Sequence, residues 1–185
     1  MSDHDQLILR AAQESDMTRV HEIFNDILLK TTATFEEEIY SLESWQKIFH
    51  DKMKSQNPFI VASLHDEVIG YGTYGPFRKA SGYRVTVEHS LHVDEKWRGQ
   101  GVGSKILQGL IQHAKRQNLW AMVAAIDSEN KNSIHLHEKF GFFCAGELPA
   151  IAEKFSRSLN LTIMQLDLRK PLVNQPKVSP TDNQK

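Results

Sequence analysis

The segment Arg98-Gly99-Gln100-Gly101-Val102-Gly103 constrains this chain most, because it joins a β-rich run ending at Val93 to an amphipathic helical run from Ser104 to Arg116. A strand, a glycine loop and a helix N-terminus in that order gather unpaired backbone N–H groups and the positive end of a helix dipole around one point. Glycines in the loop let a pyrophosphate approach the main chain, so the expected ligand carries phosphate. The alternative is a plain flexible glycine turn. A P-loop would need Gly-Lys-Ser/Thr, and Gly103-Ser104-Lys105 has the wrong order. A Rossmann fingerprint would need Gly-x-Gly-x-x-Gly near the start of a βαβ unit, whereas the glycines here fall at 99, 101 and 103 in mid-chain.

The chain has 185 residues, of which 40% are hydrophobic, enough for one domain with a sizeable core. A net charge of -1 gives no global field, so nucleic acid and anionic membranes are not favoured partners. The single cysteine, Cys144, has no internal partner. Its neighbours Phe142, Phe143 and Ala145 read as a buried thiol in a reducing compartment. Met1 to Gln6 lacks the basic and apolar regions of a signal peptide, and no window approaches a membrane span. The expectation is a soluble cytoplasmic protein.

Leu7-Ile8-Leu9 opens as a strand, with Ser15 placed to cap a helix carrying Met17, Val20, Phe24, Ile27 and Leu28 at a 3.6 period. A second helix shows Leu42, Trp45, Ile48, Phe49 and Met53 on one face. Phe59–Leu64 and Val68–Tyr74 form a hairpin around His65-Asp66-Glu67, and a long strand runs from Tyr83 to Val93. After the glycine-loop helix come a strand from Trp120 to Ile126 and a helix from about Asn132 to Phe140, closed by Gly141. Phe142–Gly146 and Leu161–Leu168 complete the sheet. This order predicts an α/β fold with a mixed sheet of about seven strands flanked by about four helices. The domain is placed at 1–168, and 169–185, with Pro171, Pro176 and Pro180 among polar residues, reads as a disordered tail.

Arg98, Gly101 and Gly103 fit the pattern Arg/Gln-x-x-Gly-x-Gly/Ala, which resembles the acetyl-CoA pyrophosphate loop of the GNAT acetyltransferases. A second GNAT signature is matched by Asn130-x-x-Ser133-x-x-Leu136-His137-Glu138-Lys139-x-Gly141-Phe142. The resemblance runs through Leu168 and implies an acetyl-CoA co-substrate. It places the acetyl-CoA contacts at Leu91, His92 and Val93, at Arg98, Gly99, Gln100, Gly101, Val102, Gly103 and Ser104, and at Asn130, Ser133 and Lys139. In that family the main chain at Leu91 to Val93 pairs with the pantetheine arm like an added strand.

Four further segments are Thr34-Phe35, Tyr74-Gly75-Pro76-Phe77-Arg78, Tyr83 to Ser90 and Lys154-Phe155-x-Arg157. They look like the branch that acetylates phosphinothricin, methionine sulfone and methionine sulfoximine. That branch usually shows Lys-Phe-Gly-Arg-Trp-Leu-Asp-Leu, where this chain has Ser156, Ser158 and Asn160 in place of glycine, tryptophan and aspartate. The resemblance implies substrate contacts at Phe35, Tyr74, Ser81, Gly82, Tyr83, Arg84 and Glu88, and a homodimer.

Amine attack on a thioester needs a neutral nucleophile, an oxyanion donor and a proton for the departing thiolate. Period-two alternation sets Arg84, Thr86, Glu88 and Ser90 on one strand face, with Tyr83, Val85, Val87, His89 and Leu91 on the other. By the same resemblance Glu88 is the family's candidate base, with a solvated or salt-bridged strand glutamate as the alternative. Arg84 could clamp a substrate carboxylate in a bidentate pair, or pair with a neighbouring strand. His137 stands where many GNAT enzymes carry a thiolate-protonating tyrosine, and histidine can do that near neutral pH. His135 is expected to face solvent, and His89 and His92 opposite sides of their strand. Lys154 and Arg157 read as basic residues of a late loop, either lining the site or solvated. Phe35 sits at the site mouth, at a subunit contact or in the core.

An α-amine of pKa about 8 is partly neutral at pH 7, which favours α-amino substrates over lysine side chains. The histidines and cysteine show no metal-ligand spacing, so no metal is expected. The expected activity is direct acetyl transfer from acetyl-CoA to the α-amine of a small amino-acid analogue, with detoxification of an antibiotic analogue as one use. A GNAT enzyme for a protein N-terminus or polyamine, and a non-catalytic acyl-CoA-binding regulator, are the other readings.

Overall fold

In the computed structural model, which describes residues 7–171, four helices flank one seven-stranded sheet. The expectations for Met1 to Gln6 and for the tail past 171 lie outside these residues. The strands are β1 (Ile8–Ala11), β2 (Phe59–Leu64), β3 (Glu67–Pro76), β4 (Thr86–Val93), β5 (Ala121–Asp127), β6 (Phe143–Lys154) and β7 (Arg157–Asp167). The helices are α1 (Met17–Lys30), α2 (Leu42–Lys54), α3 (Val102–Arg116) and α4 (Lys131–Lys139). The strand order is β1-β2-β3-β4-β5-β7-β6, antiparallel except for the central β4–β5 pair.

Each face of the sheet carries its own core. On one face the α1 stripe Met17, Val20, Phe24, Ile27 and Leu28 packs with Trp45 and Phe49 of α2 on Phe59, Val61 and Tyr71. On the other, Ile106, Leu107, Leu110 and Ile111 of α3 cover Ala62, Ile69, Val87 and Met122. Gly72 lets α3 reach the main chain of β3, since a Cβ there would stand 2.5 Å from Ile106 Cγ2. The β2–β3 turn needs only His65 and Asp66, at φ 48 and 66, matching the right-handed strand twist.

The structure corrects several sequence expectations. Ser15 caps nothing; it lies in a 3-10 turn, Glu14–Asp16, and Asp16 occupies the α1 N-cap. The Asp16 carboxylate is held by Arg10 at 2.7 and 2.8 Å. Met53 is exposed at the end of α2. The long strand begins at Thr86, because Ser81–Val85 forms a 3-10 turn. Cys144 is exposed, not buried, because its apolar run belongs to β6, the edge strand of the sheet. The late loop is instead the tip of a long β6–β7 hairpin, turning at Phe155 and Ser156 with φ 53 and 56.

Candidate active site

The central feature is an opening between β4 and β5. Their ladder covers only Thr86↔Ala121, Val87↔Met122 and Glu88↔Val123, after which the strands part. The Val85 carbonyl accepts from Trp120 N–H at 2.8 Å, and the Thr86 carbonyl from Phe77 N–H at 3.2 Å. Alternation then directs odd-numbered main-chain groups of β4 toward β5 and even-numbered ones toward β3. Past Glu88 the odd-numbered groups have no β5 ladder, so the amides of Leu91 and Val93 face the opening. His92 does not share that role. It pairs with Tyr71 of β3, and its ring packs on Phe24 and Tyr71 at centroid distances of 5.5 and 5.3 Å.

Beyond Val93 the chain builds an anion site. Gly99 and Gly101 take φ of 74 and 83, and Gly101 is the N-cap of α3 with no side-chain cap. The first bond of that helix runs from Lys105 N–H to the Gly101 carbonyl at 3.1 Å. The amides of Val102, Gly103 and Ser104 precede it and have no intrahelical acceptor. Arg98 is steadied by its Nε bond to the Val93 carbonyl at 3.1 Å, and Gln100 donates to the Lys96 carbonyl at 2.9 Å. On α4, Asn130 caps the helix by accepting from Ser133 N–H at 3.1 Å, while Lys139 is exposed in the last turn.

Glu88, Ser90 and His92 share the β4 face that carries α1 and α2, as the partners Gly75, Thr73 and Tyr71 show. Ser90 and, on the neighbouring strand, Ala125 are exposed in mid-sheet, so this face is open where the strands part. Glu88 is half-buried beside the opening. Burial raises its carboxyl pKa above the usual range, and the Arg78 charge partly offsets that.

The α1–α2 connection is pinned near this face at two points. Thr32 Oγ1 bonds to the buried Asp127 carboxylate at the end of β5. Lys154 Nζ donates to the Thr34 carbonyl at 2.8 Å. Lys154 is only 1% exposed, contrary to a solvated loop lysine, and burial lowers its pKa. Phe35, next to this anchor, is partly buried and belongs to neither core cluster.

Other expected substrate residues are not gathered here. Tyr74 points the opposite way, buried under α3 with its hydroxyl 2.7 Å from His113 Nδ1. Arg84 is not on the Glu88 face of a strand; in the 3-10 turn it donates to the Ser81 carbonyl at 3.4 Å. Ser81, Gly82 and Tyr83 are exposed, with the Tyr83 ring against Phe77. Arg78, to which sequence analysis assigned no role, is the cation that partly offsets the effect of burial on Glu88. Arg157 lies at the surface and pairs with Glu129 at 2.6 Å.

His137 is also differently placed. It is 2% exposed, and both ring nitrogens are engaged: Nδ1–H donates to the Ser133 carbonyl at 2.7 Å, and Nε2 meets His89 Nε2 at 3.1 Å. Burial lowers the pKa of both imidazoles, so the pair is neutral at pH 7. A neutral His137 with both nitrogens occupied is not free to hand a proton to a thiolate. His135 faces solvent and meets Glu138.

Unclaimed backbone amides at the start of α3, an opened strand beside them and a half-buried carboxylate thus lie together. The acetyltransferase (GNAT) family matches residues 18–142. The chain is a GNAT acetyltransferase.

A relative in Pseudomonas aeruginosa, the L-methionine sulfoximine/L-methionine sulfone acetyltransferase, is 42% identical over 161 residues, covering 86% of this chain and 94% of its own. The L-amino acid N-acyltransferase MnaT of Escherichia coli is 35% identical over 86% of this chain and 93% of its own. Among solved structures, the phosphinothricin acetyltransferase of Sinorhizobium meliloti in complex with acetyl-CoA superposes with a TM-score of 0.85 at 30% identity, covering 88% of each chain. Acetyl-CoA is the acetyl donor of GNAT enzymes, and this chain suits it. The unclaimed first-turn amides of α3 fit its pyrophosphate, and the Leu91 and Val93 amides fit the amides of its pantetheine arm.

Proposed function

We propose that this GNAT enzyme acetylates the α-amine of a small amino-acid analogue of the methionine sulfoximine, methionine sulfone or phosphinothricin type. The observation that carries the reading is the half-buried Glu88 at the β4–β5 opening, on a face bordered by a pinned connection. A border tied down at Thr32 and Thr34 suits a small substrate better than a polypeptide, which would need an open groove. The relatives' names point to the same class.

In the mechanism, Gly101 to Ser104 and Arg98 bind the phosphates, and Leu91 and Val93 hold the arm and offer N–H groups to the developing oxyanion. The donor supplies an activated acetyl group. Glu88 accepts a proton from the ammonium, directly or through water. An amine of pKa about 8 needs only modest help, and a carboxyl raised by burial is better matched to that task than an ordinary one. Arg78, whose charge acts on Glu88, Lys52, which stands beside Gly75 opposite Glu88, and Lys154 are cations available to a substrate's acidic group. The proposed setting is a homodimer in the cytoplasm, acting in detoxification. The exposed apolar residues Phe143, Leu148 and Ile151 along edge strand β6 support the dimer.

The test is acetyl-CoA-dependent thiol release over a panel of methionine sulfoximine, methionine sulfone, phosphinothricin, free amino acids, a polyamine and an N-terminal peptide. The reading expects turnover concentrated on the first three. Turnover on the polyamine or peptide alone would overturn it, and acetyl-CoA binding without release on any member would point to a regulator.

A further inference from the structure

Lys154 has an unusual partner for so enclosed a cation. A buried ammonium is costly unless it is paired, yet this residue is 1% exposed and its Nζ donates to a main-chain carbonyl, that of Thr34, at 2.8 Å. The Phe155 ring lies 5.1 Å from the same Nζ, and the charges of Glu37 and Glu36 act on it from the α1–α2 connection itself. That connection is irregular, with neither helix nor strand from 31 to 40. A buried cation holding an irregular segment makes the path of that segment matter.

The path runs along one edge of the sheet. β4 pairs parallel with β5, while β5 and β6 each pair antiparallel with β7, so β4, β5 and β6 all point the same way and end at the same edge. Helix α1 finishes beside the first of these ends, where Lys30 shares a cleft with Asp94, Glu95 and Lys96 just past β4. Thr32 then bonds through Oγ1 to Asp127, the last residue of β5. Thr34 meets Lys154, the last residue of β6. From Lys30 to Thr34 the chain thus steps from the end of β4 to β5 to β6, and between Lys30 and Thr32 it crosses the gap where β4 and β5 part.

This crossing closes one end of the open face. Glu88 is level with Val123, and the floor from there to the Asp127 anchor is about 13 Å long at 3.3 Å per residue. Ser90 and Ala125 are exposed along it. An amine beside Glu88 therefore has room for one amino acid with its side chain extended, whereas a peptide directed toward this edge meets the crossing within about four residues. Both anchors are firm. Asp127 is 4% exposed, and its other oxygen accepts from Glu129 N–H at 3.0 Å on the turn into α4. Lys154 pairs with Arg157 at the last rung of the β6–β7 ladder.

We infer that Lys154 is a specificity-determining positioning residue: together with Asp127 it clamps the Thr32–Phe35 crossing over the β4–β5 gap, and the clamped crossing limits the acceptor to a single amino acid or analogue. This rests on the acetyltransferase reading above and assigns its small-substrate class to particular side chains. Lys154 acts here through the placement of Thr34 and Phe35, and Thr32 provides the same restraint without a charge.

The test has two arms. Without any substrate, a glutamate-specific endoproteinase reads whether the crossing is held, because Glu37 and Glu38 are exposed just beyond it. Cleavage after them is expected to be about tenfold faster in Lys154→Met and in Thr32→Val than in the wild type. Equal rates in all three proteins would overturn the clamp even if no panel amine is turned over. In the second arm, acetylation of methionine sulfone is compared with that of a pentapeptide beginning with methionine sulfone. Both variants are expected to raise the KM for the sulfone about tenfold, to keep the KM for acetyl-CoA within about threefold, and to reduce the preference for the sulfone over the pentapeptide about tenfold or more. An unchanged preference in both variants would overturn the specificity role, as would a wild type that takes the pentapeptide as readily as the sulfone. A change confined to Lys154→Met would assign the effect to the lost charge and overturn the clamp. A wild type that resists cleavage as expected but acetylates no small amine would sink the substrate reading alone.

Discussion

Burial acts on Glu88 and on the histidines in opposite directions. For Glu88 it raises the carboxyl pKa, so the base is lost from a higher pH than an exposed glutamate would be. The acid limb of kcat/KM should therefore lie above the ordinary pKa of about 4.3 and move down when Arg78 is left in place but Glu88 is made more exposed. For His92 burial drives the pKa down to about 4, against about 6.5 in an unfolded chain. Between those values the unfolded chain takes a proton that the folded one refuses. Stability is full above about pH 6.5 and falls as pH drops toward 4, by about 3 kcal/mol. Thermal unfolding checks this: the Tm of the wild type should fall more steeply on acidification than that of His92→Phe, and parallel curves would contradict it. Single residues were unevenly legible in the sequence. Glu88 could be found because the resemblance to the GNAT acetyltransferases places their candidate base in this central strand, whereas its period only sets it on a polar face. The placement of His89 could not, because period two gives only its strand face, and the ring that holds it comes from a residue 48 positions away on α4. Arg84 was misread because the alternation of β4 was extended back through a 3-10 turn.

Among elements, the glycine loop was the most legible, since strand, loop and helix follow in order and each fixes the next. Gly101 tests it. A Cβ there meets no atom within 4 Å, so the cost to the free protein is only that of holding φ at 83. Gly101→Val should lower stability by about 1–2 kcal/mol and weaken acetyl-CoA binding about tenfold or more by isothermal titration. Unchanged affinity would remove the loop from the donor site. Amphipathic helices were equally readable, and α4 closes on Gly141 at φ 87 as expected. The β6–β7 hairpin was not. Its register slips between Leu148 and Ala152, where Ala150 takes φ 50 and its N–H is bound by Asn160 Oδ1 at 2.8 Å. A side chain from one strand satisfying the bulge of its partner leaves no periodic trace in either. Asn160, which stands where the branch carries aspartate, makes this contact through an acceptor oxygen that a carboxylate would also offer.

At the scale of the molecule, α1 and α2 cover β2 to β4 on their face and leave the far half of the sheet, with edge strand β6, open. Nothing in a linear pattern distinguishes an apolar edge strand from an apolar core strand, which is why Cys144 and Phe143 read as buried. Ile151, 53% exposed on this strand, tests the proposed dimer. Ile151→Lys should weaken self-association about tenfold or more by light scattering, and an unaltered profile would move the interface elsewhere. The central claim is that the β4–β5 opening is an acetyl-transfer site whose base is Glu88. Its most direct measurement is acetyl-CoA-dependent acetylation of methionine sulfoximine by the wild type and by Glu88→Gln, followed by mass spectrometry of the product. The account predicts α-N-acetylated product with the wild type and a rate at least about 100-fold lower with Glu88→Gln at unchanged acetyl-CoA affinity. Equal rates from both proteins would contradict it.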